Sequence, residues 1–171
     1  MFKHTLTAII FSLIINGYAF AAGSSSSNNT SSTSGNSSKI MTEYDWAEKK
    51  ILKAKKLEKK GKIKKAKKIY KDALKNLKKA YKKDTINPDI YNYLGFTERK
   101  LGNYIDAEMY YLIGLEIDPK HFGINEYLGE LYVQTNRIDL ANERLKILEN
   151  CNCEEYNELK EIIAGTKESK Y

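Results

Sequence analysis

Two histidines, two cysteines and two prolines are all that 171 residues hold of three types that commonly supply catalysis, metal binding or chain breaks. So little His and Cys leaves scant material for a metal centre or a catalytic network. No Gly-x-Ser-x-Gly elbow, Walker loop or His-Glu-x-x-His pair occurs. Of the histidines, His4 lies just ahead of an N-terminal apolar run and His121 stands alone after Pro119-Lys120, where a turn role is expected. No enzymatic role, no metal and no cofactor are therefore expected. Two prolines and ten glycines beside 42% hydrophobic residues exclude collagen-like and wholly disordered chains. The length allows one modest domain.

Long apolar runs are also scarce. The clearest, Leu6 to Ile15, is shorter than the roughly 20 residues of a membrane-spanning helix. Lys3 and His4 precede it, and Ala19-Phe20-Ala21 follows with the small-x-small pattern of a cleavage site. A positive start, a short apolar core and a small-residue exit predict a signal peptide over 1–21 and a mature chain from Ala22. The expected location is periplasmic or secreted. Gly23 to Ser38 contains only Ser, Gly, Asn and Thr. Nothing there can be buried, which predicts a flexible linker over 22–40.

What is present from Tyr44 onward is helical periodicity. Ile63, Ala66, Tyr70, Ala73, Leu77 and Ala80 advance by threes and fours, and Ile69, Leu74 and Tyr81 widen the stripe. Gly95, Ala107 and Tyr111 recur 34 residues later as Gly129, Ala141 and Leu145. Upstream, Ala54, Gly61, Ala66, Tyr70 and Ala73 precede Gly95, Gly102, Ala107, Tyr111 and Gly114 by 41 residues. The excess is two helical turns, consistent with a longer second helix in the first unit. Gly102 maps onto Asn136. Both residue types tolerate the left-handed conformation that ends a helix. Asn87-Pro88 supplies an N-cap and a first-turn proline, and Pro119 marks the corresponding boundary one unit later. The expected organisation is a basic helix pair at 44–84, units at 88–121 and 122–152, and a covering helix at 153–165 carrying Tyr156, Leu159, Ile162 and Ile163. Small residues at Gly95 and Gly129 let helices approach, with Tyr111 and Leu145 expected to fill the space between units.

Tyr91-x-x-Leu94-Gly95, Ala107, Tyr111 and Pro119, repeated in Leu128-Gly129-x-x-Tyr132, Ala141 and Leu145, resemble the tetratricopeptide repeat (TPR). The resemblance covers about residues 47–152. It implies an all-α, TPR-like helical-hairpin solenoid of about three helix pairs plus a C-terminal covering helix. With Cys151-x-Cys153-Glu154-Glu155-Tyr156 following, the chain is similar to small exported proteobacterial TPR proteins, which implies fold and location but no activity. The resemblance further implies a scaffold that binds a peptide or protein partner on a concave face lined by the first helix of each pair. Asn92, Phe96 and Arg99, then Glu126, Glu130 and Val133, match that face. Glu126 and Glu130 would repel a terminal carboxylate, so a basic or mixed segment is the expected partner.

The net charge of +7 hides two opposed halves. Residues 43–83 hold 18 lysines and five acids, whereas 84–171 hold nine basic residues and 17 acids. Most of these lysines are expected on solvated helix faces. Like charges on adjacent turns repel, so an acidic counterpart is expected to offset them. An anionic envelope surface or the acidic end of another copy would serve, giving an alternative reading: a self-assembling or envelope-associated structural protein that uses the Lys-rich hairpin. Nucleic acid fits less well, because the basic segment is Lys without Arg and base-reading forks favour Arg. Cys151 and Cys153 leave three states open: free thiols, a strained local disulfide, or bonds between chains, with a structural role expected ahead of redox chemistry and metal binding last.

Overall fold

In the computed structural model, which describes residues 41–167, Thr42 opens the first helix, α1 (Glu43–Glu58). Its hydroxyl accepts from the Asp45 N–H at 3.1 Å, while the Asp45 carboxylate accepts from the Thr42 N–H at 2.7 Å. This reciprocal box satisfies two N–H groups at the helix start. The expected signal peptide and linker lie outside the described residues.

Six further helices follow: α2 (Ile63–Lys83), α3 (Pro88–Leu101), α4 (Tyr104–Ile117), α5 (Phe122–Gln134), α6 (Ile138–Leu148) and α7 (Glu154–Ile163). Among the described residues there is no strand. The apolar stripe of α2 buries Ala66, Tyr70, Ala73, Leu77 and Ala80. Ile63, at its first turn, is exposed. Alanines on both helices of the first pair, Ala47 and Ala54 against Ala66, Ala73 and Ala80, make a low seam that the two backbones can approach closely.

Gly61, Gly102 and Asn136, equivalent by the repeat spacing, all adopt positive φ, at 68°, 93° and 59°. Each ends the turn between the two helices of its pair. That shared left-handed step reverses the chain and lets the second helix fold back on the first. Asn87 caps α3 by accepting from the Asp89 N–H at 3.0 Å, with Pro88 in the first turn. The fifth helix begins differently. Pro119 lies ahead of the cap, and His121 occupies the N-cap, its Nδ1 accepting from the Ile124 N–H at 3.1 Å.

Each pair packs on itself, and each second helix packs on the first helix of the next pair. Helices α1, α3, α5 and α7 also touch in succession, forming one row. Two glycines set how closely the helices meet. A β-carbon at Gly95 would lie 2.5 Å from Tyr111 Cε1, and one at Gly129 would lie 2.5 Å from Leu159 Cδ2. That contact lies within one pair, while Tyr111 also joins Ile124 and Leu128 of the next pair in one core cluster, the between-unit place expected of it. Leu145 does not repeat that role: it is half-buried, and the atoms nearest Gly129 belong to Leu159 of α7. The reason is that the terminal helix, rather than a fourth helix pair, supplies the side chain that closes the end of the stack. Leu159 and Ile162 are buried there.

Candidate functional site

The repeat spacing brings equivalent side chains of α1, α3 and α5 into one layer. Positions 55, 96 and 130 correspond, and they carry Lys55, Phe96 and Glu130. Lys55 reaches from α1 across the row, its Nζ 4.4 Å from the Phe96 ring centre and 5.5 Å from that of Tyr127. The Tyr127 hydroxyl lies 3.3 Å from the same ammonium. Phe96 and Tyr127 pack with ring centres 5.2 Å apart. Such cation–aromatic contacts gain strength when water is excluded.

Arg99 Nη1 donates to Glu130 Oε2 at 3.0 Å, with both side chains only 1% exposed. Buried pairs of this kind need each other, because either charge alone would be stranded in a poorly polarisable interior. Glu126, one turn before Glu130, is buried too. Burial first, then the nearby Glu130 and Glu158 carboxylates, push its carboxyl up to about 9. Burial thus favours the proton-bound form of this carboxyl cluster. Desolvation lowers the Lys55 ammonium, an effect opposed by Glu126 and Glu130.

Of the six residues expected on an open face, Phe96, Arg99, Glu126 and Glu130 are buried. Asn92 and Val133 are half-buried. Asn92 lies against the first turn of α5, where a β-carbon at Gly123 would come within 2.9 Å of its Nδ2. The spacing within each helix does set three of these residues on one face. That face is covered, however, because Lys55 and Tyr127 fold over its centre. Glu126 and Glu130, expected to face a partner's carboxylate, are both buried, and Glu130 is paired with Arg99.

What remains accessible along the row was not singled out from the sequence. Leu52, Tyr93 and Tyr127 occupy equivalent positions by the same offsets of 41 and 34 residues. Leu52 is exposed, and both tyrosines are half-buried. The Tyr93 hydroxyl donates to Glu48 Oε1 at 3.1 Å, and its ring packs on Tyr44 at 5.6 Å. Burial and the neighbouring carboxylates, led by Glu48, raise the Tyr93 phenol well above its ordinary value. The repeat offset was the available signal: an apolar or aromatic residue stands at this position in all three units.

His121 has a structural place, with Nε2 3.0 Å from Asp89 Oδ1 while Nδ1 caps α5. Cys151 and Cys153 are joined in a local disulfide, which selects one of the three open states. Among the described residues, no cluster of three His, Cys, Asp or Glu side chains is placed to hold a metal ion. No described helix is long and apolar enough to cross a membrane.

Paired helices, left-handed turns at equivalent positions and a 34-residue period converge with one structural likeness. The chain superposes on the Yersinia enterocolitica type III secretion translocator chaperone SycD with a TM-score of 0.50 and 18% identity, covering 74% of this chain and 86% of that one. The fold is tetratricopeptide-like. Other TPR-like structures include the Arabidopsis OM64 TPR domain, at TM-score 0.46 and 16% identity, covering 73% of this chain and 99% of that one. The first TPR of Spaghetti (RPAP3) bound to an HSP90 peptide matches at 0.45 and 19%, covering 72% and 96%. No protein-family profile matches this TPR-like chain, and no curated protein matches it in sequence.

Proposed function

We propose that the chain is an exported TPR-like scaffold that holds a peptide or protein segment along the row of Leu52, Tyr93 and Tyr127. The carrying observation is that three equivalent helices present an apolar or aromatic side chain at one position, and the two rings are fixed from behind. Glu48 and Tyr44 hold Tyr93, while Lys55 and Phe96 hold Tyr127. Aromatic groups already held in place offer contact area with little ordering entropy left to lose on binding. A mixed segment that turns apolar side chains toward this row is the partner that fits. With a photo-crosslinker at position 56, exposed one turn from Leu52 on α1, the mature chain should capture a partner. Leu52→Asp combined with Tyr93→Ala should abolish capture while far-UV circular dichroism is unchanged. Undiminished capture would place the binding surface elsewhere.

Export is supported by the residue pattern of 1–21 and the Ser-rich tract behind it. N-terminal sequencing of the chain recovered from its host should begin at Ala22, and an intact Met1 would contradict export.

A second reading is favoured by the outer face of α2. Lys64, Lys68, Lys71, Lys75, Lys78 and Lys82 are all exposed along this 21-residue helix. At about 1.5 Å per residue the helix extends roughly 30 Å, long enough to follow an anionic surface or the acidic end of another copy. Binding to anionic vesicles that weakens with salt would support surface contact. A mass in solution that rises at low salt would support self-association, and a monomer without vesicle binding removes this reading.

A further inference from the structure

The disulfide between Cys151 and Cys153 sits in the turn between α6 and α7, with Cα atoms 5.1 Å apart and one residue between. These are the chain's two cysteines. A disulfide stabilises chiefly by restricting the unfolded chain, and the restriction grows with the length of the loop it closes. A loop with one intervening residue restricts almost nothing. The turn also has other anchors: Leu148, Leu159 and Ile162 are buried, Leu159 fills the space at Gly129, and Lys167 pairs with Glu158 at 3.0 Å. The bond is thus poorly suited to a purely stabilising role.

Its surroundings suit chemistry better. Neither sulfur-bearing residue is fully buried, and Asn152 between them is exposed, in the left-handed region at φ 51°. Cys153 is the N-cap of α7, and no side-chain cap hydrogen bond satisfies that helix start. A thiolate at this position would be stabilised by the first N–H groups of the helix. Glu149, Glu154 and Glu155 flank the turn and make it acidic.

We propose that Cys151–Cys153 is a thiol–disulfide exchange site, that Cys151 is the sulfur attacked, and that its substrates are neutral or cationic thiols. The thiolate of one reductant molecule attacks Cys151 Sγ and forms a mixed disulfide. The Cys151–Cys153 bond breaks, and its electron pair leaves on Cys153 Sγ, the better leaving group at the helix start. A second reductant thiolate then attacks the reductant sulfur of the mixed disulfide and releases Cys151 as a thiolate. Two reductant thiols become one disulfide, the protein disulfide becomes two thiols, and the two protons pass through solvent to the cysteines. The flanking carboxylates repel anionic thiolates and attract thiols carrying an ammonium group.

The test uses the oxidised full-length chain, without denaturant, treated in parallel with cysteamine, which is cationic, and glutathione, which is anionic. Alkylation and intact mass report two new thiols. Both reagents should reduce the pair while far-UV circular dichroism is retained. At equal thiolate concentration, cysteamine should react several-fold faster at low salt, and the difference should shrink at high salt. In Cys153→Ser the surviving Cys151 thiolate should form a mixed disulfide with cystamine, the disulfide of cysteamine, releasing one cysteamine, whereas the lone Cys153 of Cys151→Ser should alkylate several-fold faster at neutral pH than the lone Cys151 of Cys153→Ser. Reduction that requires denaturant would overturn the proposal. Equal reactivity of the two lone cysteines would overturn the assignment of Cys151 as the sulfur attacked, and a preference for glutathione would overturn the substrate class.

Discussion

The α1–α2 hairpin and the α3–α5 region handle charge in opposite ways. In the first, alanines and a few large apolar groups form the seam, and lysines cover the outside. In the second, Arg99, Glu98, Glu126 and Glu130 are buried beside Thr97 and Asn125. The hairpin carries the larger charge yet keeps most of it in water, where its lysines are screened, with Lys55 the desolvated exception. The region with fewer basic residues has the more demanding electrostatics, because its charges lie where little solvent can respond. Net charge along a sequence therefore says little about where electrostatic free energy is concentrated.

The strongest way to break this contrast is to remove one partner of the buried pair. Glu130→Ala should destabilise the fold by about 3–5 kcal/mol in urea unfolding, since Arg99 is left without its counter-charge. Replacing both, as Arg99→Met with Glu130→Leu, should recover most of that loss. A small effect of Glu130→Ala alone would mean that water reaches the site.

Close packing gives the next largest effect. Gly95→Ala places a methyl group against the Tyr111 ring, and a loss of about 1–3 kcal/mol is expected. Gly129→Ala should instead displace Leu159 and loosen α7, which hydrogen exchange in Glu154–Ile163 would show. Unchanged stability and exchange would mean the stack yields easily at both points.

The raised Glu126 carboxyl sharpens the comparison through pH. Glu126 binds its proton more tightly folded than unfolded, so its contribution is complete below the ordinary carboxylate value of 4.5. That contribution falls as pH rises toward about 9. Glu126→Gln should flatten this decline, raising the melting temperature at alkaline pH relative to the parent and changing it little in acid. Parallel pH profiles for the two proteins would show that Glu126 is ionised throughout.

The hairpin should give the smallest response. Lys68→Glu with Lys75→Glu should change stability by no more than about 0.5 kcal/mol, in the stabilising direction at low salt, and the gain should vanish at high salt. A loss of several times that size would mean that these lysines hold a structural acid.

Much of the architecture was readable from short-range chemistry. Gly61, Gly102 and Asn136 marked three turns, because left-handed backbone is a local requirement met by few residue types. Asn87-Pro88 marked a helix start for the same kind of reason. Pro119 and Leu145 illustrate where that reading stops. Proline marks a boundary without saying which neighbour caps the helix, and a repeat position at the end of a stack meets a different partner from one in its middle. The candidate site was less legible. Asn92, Phe96 and Arg99 share a helix face, but helical spacing cannot say whether Lys55, some forty positions earlier, folds across it.

The helices, their turns and their pairing into a TPR-like stack follow from hydrophobic period and backbone preference, which act within a few residues. The burial of Arg99 with Glu130, the raised carboxyl of Glu126 and the row of Leu52, Tyr93 and Tyr127 arise only when α1, α3, α5 and α7 meet. Desolvation depends on everything that surrounds a group, and those surroundings come from segments distant in the chain.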